Sequence, residues 1–284
     1  MQAGWSIPDI TNAENGRFRD LIRAQTGIHL GDQKRHLLVA RLAQRLKTLG
    51  LDSFSTYYDY VAADKSGAEL RQVINRITTN KTSFFREPHH SEFLRSRLIP
   101  EARQRGQNEL RIWSAGCSSG EEPYSMAITV AEALGKFHGW SVRILASDID
   151  TEILGRARAG RYAIDTMEGV PAERVRAHFM RGFGEFEGLA QVRPELQRMI
   201  DFRQINLSHP DWGVIERFDA VFCRNVIIYF DRPTQQRIVE RLAGRLKPDG
   251  YFFSGHSENL HWLRHLLDPV EPTVYRLQKG ARSE

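Results

Sequence analysis

Two cysteines, Cys117 and Cys223, are all that the 284 residues contain. That is too few for a disulfide framework and suits a reducing compartment. No apolar run approaches the ~20 residues of a membrane-spanning helix. The opening Met1-Gln2-Ala3-Gly4-Trp5-Ser6 lacks the charged-then-apolar pattern of a secretory signal, so a cytoplasmic location is expected, with no membrane insertion. A large excess of either charge is absent too: 40 Lys+Arg against 35 Asp+Glu leave +5, and the distribution of charge matters more than its net size. Internal repeats and low-complexity tracts are absent. His89-His90 has neither the i, i+4 nor the cysteine-paired spacing of a metal site, so no metal is expected. His256-Ser257-Glu258 has the letters of a triad, but no nucleophile elbow accompanies it and sequence adjacency is not triad geometry. The cysteines read as small core residues at strand ends.

What is present divides into two regions. From Phe18 to about Ile77 apolar residues recur at helical spacing, with Leu37, Leu38, Leu42, Leu46 and Leu49 as one stripe. Lys34, Arg35, Arg41, Arg45 and Lys47 surround it with no acidic residue between. This is either a solvated helix face or a face for an acidic partner. Gly50-Leu51-Asp52-Ser53 ends one helix and caps the next. After Pro88 helices alternate with short apolar strands. Strands are expected at Leu110–Ser114, Val142–Ser147, Phe218–Cys223, Tyr251–Ser254 and Thr273–Leu277. Helices are expected near Ser91–Arg105, Tyr124–Leu134, Thr151–Arg158 and Thr234–Leu246, with a turn at Lys247–Gly250. The alternation implies an α/β, mostly parallel, doubly wound sheet. One segment departs from it: Phe179–Arg181, the glycine turn Gly182-Phe183-Gly184, Leu189–Arg193 and Arg198–Arg203 read as a small antiparallel meander. It is either a decorative flap or an exposed-edge docking module.

The segment Glu109–Pro123 reads as strand, glycine-bearing turn and helix. Phosphate-binding versions of this turn present a bare, positive helix N-terminus. Here Glu121 and Glu122 occupy the first helical turn and would repel a pyrophosphate. A ligand with an ammonium group, a sulfonium and ribose hydroxyls fits better, a description met by S-adenosylmethionine; acidic N-terminal capping is the structural alternative. Asp148 ends the next strand, where a carboxylate accepts ribose hydroxyls, and Asp150 reads as the cap of the following helix. Asn206-Leu207 follow an alternating strand and suit an adenine, or else a plain turn. Arg224-Asn225 and Tyr229 lie past Phe218–Cys223, at the edge of the sheet where ligands bind. The Asn/Asp-Pro-Pro-Tyr of nucleobase amino-methyltransferases is not found there, so nucleic acid is not an expected partner. Asn80–Arg86 either orders a linker over a pocket or anchors the two regions together; the residues alone leave both open.

Taken together, Asn80-x-Thr82-x-Phe84-Phe85-Arg86, Gly120–Ser125, Ala146–Asp150, Phe222–Phe230 and Gly255–Asn259 resemble the chemotaxis receptor methyltransferases of the CheR family, in matching order from about Phe18 to Leu277. The resemblance implies a class I S-adenosylmethionine-dependent methyltransferase fold behind an N-terminal all-helical domain. The implied divisions are a tail at 1–15, the helical domain and linker at 16–87, and a methyltransferase domain at 88–284 with a β-subdomain at about 177–204. The implied activity is esterification of glutamate side chains on cytoplasmic helices of methyl-accepting chemotaxis receptors, leaving S-adenosylhomocysteine. Cofactor contacts then fall on Asn80, Thr82, Arg86, Glu122, Asp148, Asn206, Leu207, Arg224 and Asn225, with Arg86 and Tyr229 bordering the methyl-transfer site. Receptor contacts are expected at Arg35, Arg41 and Arg45. Gly182 and Gly184 resemble the turn with which some members hold a receptor C-terminal pentapeptide. A monomer is expected. Two other classes would use a similar sheet: a nucleotide-binding oxidoreductase, disfavoured by Glu121-Glu122, and a non-catalytic S-adenosylmethionine-binding adaptor.

Overall fold

A computed structural model of the chain describes residues 6–135 and 139–278; residues 1–5 of the expected tail and 279–284 lie outside it. The N-terminal region consists of α1 (Asn12–Thr26), α2 (Arg35–Leu49), α3 (Phe54–Ala63) and α4 (Ala68–Ile77). Thr11 and Glu14 form a reciprocal capping box at the start of α1. Gly50, with φ 68°, ends α2, and the Ser53 hydroxyl accepts the Thr56 N–H to start α3. Leu38, Leu42 and Leu46 are buried with Phe18, Phe54 and Tyr57. Phe18 is the hub, packed against the rings of Phe54, Tyr57 and Tyr58 at 6.2, 5.8 and 5.3 Å.

Among the described residues ten strands follow: β1 (Glu109–Ala115), β2 (Ser141–Asp148), β3 (Arg161–Ala163), β4 (Phe179–Arg181), β5 (Leu189–Val192), β6 (Ile200–Gln204), β7 (Phe218–Cys223), β8 (Leu246–Ser254), β9 (Leu267–Glu271) and β10 (Val274–Leu277). Seven make one sheet in the order β6-β2-β1-β7-β8-β10-β9. β6, β2, β1, β7 and β8 run parallel, and β10 is antiparallel to both β8 and β9. Chain neighbours face opposite sides of this sheet, as the period-two pleat requires. Ile112, Ile144, Phe222 and Phe253 enter one apolar layer, while Trp113, Leu145, Val221 and Phe252 enter the other. Both faces are covered, which is why these strands read as continuous apolar runs. The helices are α5 (His89–Phe93), a π-helical stretch at Leu94–Leu98, α6 (Ile99–Gln104), α7 (Glu121–Leu134), α8 (Thr151–Ala159), α9 (Ala172–His178), α10 (Pro194–Gln197) and α11 (Arg232–Ala243).

The small sheet differs from the expected meander. Its order is β3-β5-β4, so it spans 161–192 rather than 177–204. Residues 200–204 form β6, paired in parallel with β2 at the edge of the main sheet. Helix α10, begun by Pro194, breaks the chain between β5 and β6 and frees Ile200 and Phe202 to pack on the main core. Lys247–Gly250 is no free turn either. These residues are an irregularity within β8, whose pairing jumps from Phe218↔Leu246 to Ala220↔Tyr251. β9 carries Pro269, tolerable only because it is an edge strand, and that proline masked it in the sequence.

Candidate active site

The ends of β1 and β2 lie side by side, and the chain leaving β1 turns at once. The N–H groups of Gly116 and Cys117 both donate to the Ser147 carbonyl, at 2.7 and 2.8 Å. Gly116 has φ 85°, and a Cβ there would lie 2.3 Å from Val226 Cγ2, so only glycine lets the loop after β7 close on this turn. Ser118 then aims its N–H at Asp148 Oδ2, 2.8 Å away, while Asp148 Oδ1 accepts the Asp150 N–H at 3.1 Å. The carboxylate is thus fixed at the wall of a cavity of about 460 Å³. Burial raises its pKa, and the backbone N–H donors oppose that rise. Each oxygen keeps accepting capacity for a ribose hydroxyl.

Four other segments reach the same cavity. The linker between α4 and α5 brings Asn80, Thr82 and Arg86; α7 brings Glu122; Asn206 and Leu207 follow β6; Arg224, Asn225 and Tyr229 follow β7. The linker is fastened at both ends. Asp150 caps α8 by accepting the Glu152 and Ile153 N–H groups, and its second oxygen takes Thr78 Oγ1 and Asn80 Nδ2, each at 2.8 Å. Phe84 is buried between Tyr162 and Phe179, edge-on to both. The segment therefore does both things its sequence allows: Phe84 anchors, and Arg86 lies exposed on the cavity, donating to the Lys81 carbonyl.

Arg224 binds the walls together. Its side chain is 6% exposed; Nη1 donates to Glu122 Oε2 at 3.0 Å, Nη2 donates to the Arg86 carbonyl at 2.6 Å, and Nη2 lies 3.4 Å from Glu87 Oε2. Burial raises the Glu122 pKa, with Arg224 and the Ser114 hydroxyl opposing. Both acidic residues of the α7 N-terminus have protein partners, since Glu121 accepts from the Ser119 hydroxyl at 2.6 Å. Neither caps α7 through its side chain.

Three parts of the site were not legible. The first is Glu258, buried at 4% exposure. Oε2 accepts the Asn225 and Gly255 N–H groups at 2.8 and 2.7 Å, and Oε1 accepts those of Val226 and Ile227 at 2.8 and 2.9 Å. The triad-like letters around it hid a structural carboxylate. The second is the wall supplied by the helical region. Ile28 bridges to Phe230, the His29 N–H donates to the Tyr229 carbonyl at 2.8 Å, and Asn206 Nδ2 donates to the Gln25 carbonyl at 2.8 Å. Asn206 is also a turn residue, its Oδ1 accepting from Ser208. Thr26, Leu30 and Leu37 line the cavity, and Lys34 Nζ stands 6.0 Å from the Tyr229 ring centroid. The third is the division of the basic stripe, which is not one free face. Arg41 donates to the carbonyls of Arg76 and Thr78, closing the end of α4. Arg45 holds Glu69 with two hydrogen bonds at 2.8 and 2.6 Å. Of the three expected receptor-contact arginines, only Arg35 is exposed, and it donates to Asn12 Oδ1.

Comparison with known proteins matches the chain in two stretches. Residues 13–78 match a family model described as "CheR methyltransferase, all-alpha domain", and residues 80–276 match "CheR methyltransferase, SAM binding domain". "Chemotaxis protein methyltransferase 2" of Pseudomonas aeruginosa is 46% identical over 265 residues, covering 93% of each chain. "Chemotaxis protein methyltransferase" of Salmonella typhimurium is 44% identical over 271 residues, 95% of this chain and 92% of that one. The protein of the same name from Borreliella burgdorferi is 33% identical over 273 residues, 94% and 95%. The chain therefore belongs to the CheR family of S-adenosylmethionine-dependent chemotaxis protein methyltransferases.

Proposed function

We propose that this cavity transfers a methyl group to glutamate carboxylates on chemoreceptor helices, with Arg86 and Tyr229 at the site of transfer. One observation carries the reading: Arg86 and Tyr229 stand on the same cavity as the Asp148 carboxylate, at the carboxyl edge of the sheet. S-adenosylmethionine fits this cavity because Asp148 is pre-oriented by two backbone N–H groups and Gly116, which bears no side chain, lines the same cavity. When bound, it supplies a methyl group made electrophilic by a sulfonium. Asp148 holds the ribose hydroxyls, and Asn206 and Leu207 bracket the base. Arg224 acts chiefly through Glu122 and the Arg86 carbonyl, holding the linker in place.

A glutamate substrate, with a pKa of roughly 4.3, is already ionised at neutral pH and needs no general base. Orientation and desolvation are what the protein has to provide. Arg86 orients the carboxylate by charge-assisted hydrogen bonds, Tyr229 borders the methyl, and Lys34 adds a second cation, its Nζ 6.0 Å from the Tyr229 ring centroid. Arg35, exposed beside Lys34, extends this cationic rim toward the receptor. The β3-β5-β4 sheet suits a receptor C-terminal peptide, because the turn after β4 exposes Phe183 (78%) next to an edge strand. The enzyme works as a monomer.

The test is incubation with methyl-labelled S-adenosylmethionine and a receptor cytoplasmic fragment. A methyl ester releases its label as volatile methanol in base. Absence of label, or label stable to base, overturns the reading.

A further inference from the structure

Next to the cavity, but outside it, Glu87, His89 and His256 bring one ligand atom each to within 4.8 Å of one another. No spacing along the chain announces this cluster, because the linker and the loop after β8 meet only in the fold. Their hydrogen bonds decide which atoms are available. The Thr273 hydroxyl donates its single proton to the Pro272 carbonyl. The same hydroxyl lies within hydrogen-bonding distance of His89 Nε2 and His90 Nε2, at 3.1 and 2.8 Å. In the Nε2–H tautomer, Nδ1 is the ring nitrogen left to act as a ligand. Glu87 Oε1 accepts the His256 backbone N–H at 3.2 Å. Glu87 Oε2 and His90 Nδ1 are both buried without a hydrogen-bond partner and face each other at 3.7 Å. The Glu87 side chain is 9% exposed and that of His90 3%.

The Arg224 guanidinium pairs with Glu87 Oε2 at 3.4 Å without forming a hydrogen bond, so this carboxylate oxygen keeps its accepting capacity for a ligand. We propose that Glu87, His89 and His256 bind a divalent transition-metal ion of the zinc class, which clamps the Arg86-bearing linker to the loop after β8. Two imidazoles and one carboxylate are the donor set such an ion prefers. His89 already has its ring fixed by a hydrogen bond from the far nitrogen, the arrangement found behind metal-ligating histidines. His256 is exposed and its ring lies parallel to that of His89, 4.9 Å between centroids. It supplies the ligand that swings in.

The full chain, freed of metal by chelation, is titrated with Co²⁺ as the spectroscopic probe and then with Zn²⁺. The expected result is one equivalent of Co²⁺ giving a visible ligand-field band that Zn²⁺ abolishes. Affinity should fall at least tenfold in His256→Ala and in Glu87→Gln. Thr273→Val, which removes only the orienting hydroxyl, should weaken binding by about 10-fold to 100-fold. Amide exchange across 85–90 and 255–258 should slow with Zn²⁺ in the parent and not in His256→Ala. Absence of a saturable band overturns the proposal, as does a band unchanged in His256→Ala, an exposed position where folding is not at stake. Unchanged exchange on metal binding overturns the clamp.

Discussion

Replacing Glu258 by glutamine tests whether one buried carboxylate holds the loop after β7 against the cavity. The carboxylate accepts four backbone N–H groups, two on each oxygen, all between 2.7 and 2.9 Å. Burial pushes its pKa up and the four donors pull it back. Because every group facing it is a donor, the ionised form is the one the loop is built around. Glutamine keeps one oxygen, which serves two N–H groups, and turns an NH2 toward the other two. Each N–H left buried and unsatisfied costs about 1–3 kcal/mol, so the pair costs about 4 kcal/mol. Against a total of about 5–15 kcal/mol this is large, and it corresponds to a fall in Tm of roughly 10 °C for a chain of this size. Thermal unfolding followed by circular dichroism measures it. Since Asn225–Ile227 are the residues released, calorimetric affinity for S-adenosylhomocysteine should fall with stability. A variant melting within about 2 °C of the parent and binding S-adenosylhomocysteine equally well would refute the reasoning.

Asp148→Ala should weaken S-adenosylmethionine binding by about 1.5–3 kcal/mol, roughly tenfold or more, by calorimetry. Because burial raises the Asp148 pKa, affinity should start to fall on acidification at a higher pH than the ordinary aspartate value of about 3.9. Glu69→Gln should destabilise the helical region by about 3 kcal/mol. Burial works to raise the Glu69 pKa, but the bonds from Arg45 and Tyr57 outweigh it and the net shift is downward. Its contribution is therefore complete above the unfolded value of about 4.3 and disappears as pH falls through the lowered folded value. Denaturant curves for parent and variant should converge there. Arg35→Glu should raise the receptor KM and leave S-adenosylhomocysteine affinity intact, an effect partly mimicked by salt. Gly182→Val should abolish receptor-pentapeptide binding in a fluorescence titration, because a Cβ at Gly182 would lie 2.0 Å from the Phe186 carbonyl oxygen.

How much was legible follows from which interactions are local. The strand–turn–helix at Glu109–Pro123, the Gly50–Ser53 junction and the Asp150 cap depend on neighbours in sequence, and the residues announce them. The parallel strands announce themselves by being apolar on both faces. The failures are non-local. Arg198–Arg203 reads as a strand but not as a strand of the main sheet, because its partner β2 lies some fifty residues earlier. The basic stripe looks free in sequence because its acids and acceptors (Glu69 and the carbonyls ending α4) belong to another helix. The helical wall of the cavity is docked by backbone groups of Gln25, Ile28 and His29, which carry no side-chain signature.

The same distinction explains why the acidic residues around the cavity are so numerous. Among the described residues, five that are not glycine have positive φ, and Phe85, Glu87, Ser118 and Asn225 are four of them, all in the loops around the cavity. Such backbone costs on the order of 1–3 kcal/mol per residue and persists only where the surroundings impose it. Each has its restraint. Ser118 is held by Asp148, Asn225 by Glu258, the Phe85 N–H by the Ser125 hydroxyl, and Glu87 by Arg224. Asp148 therefore has two tasks, restraining the glycine turn and accepting the ribose, whereas Glu258 has one, restraining the loop after β7. Arg224 links the two halves through Glu122 and the Arg86 carbonyl. Substitutions should separate along that line: Glu258 variants lose stability together with affinity. Removing Asp148 relieves a buried carboxylate as it loosens the turn, so it should lower affinity by more than it lowers Tm.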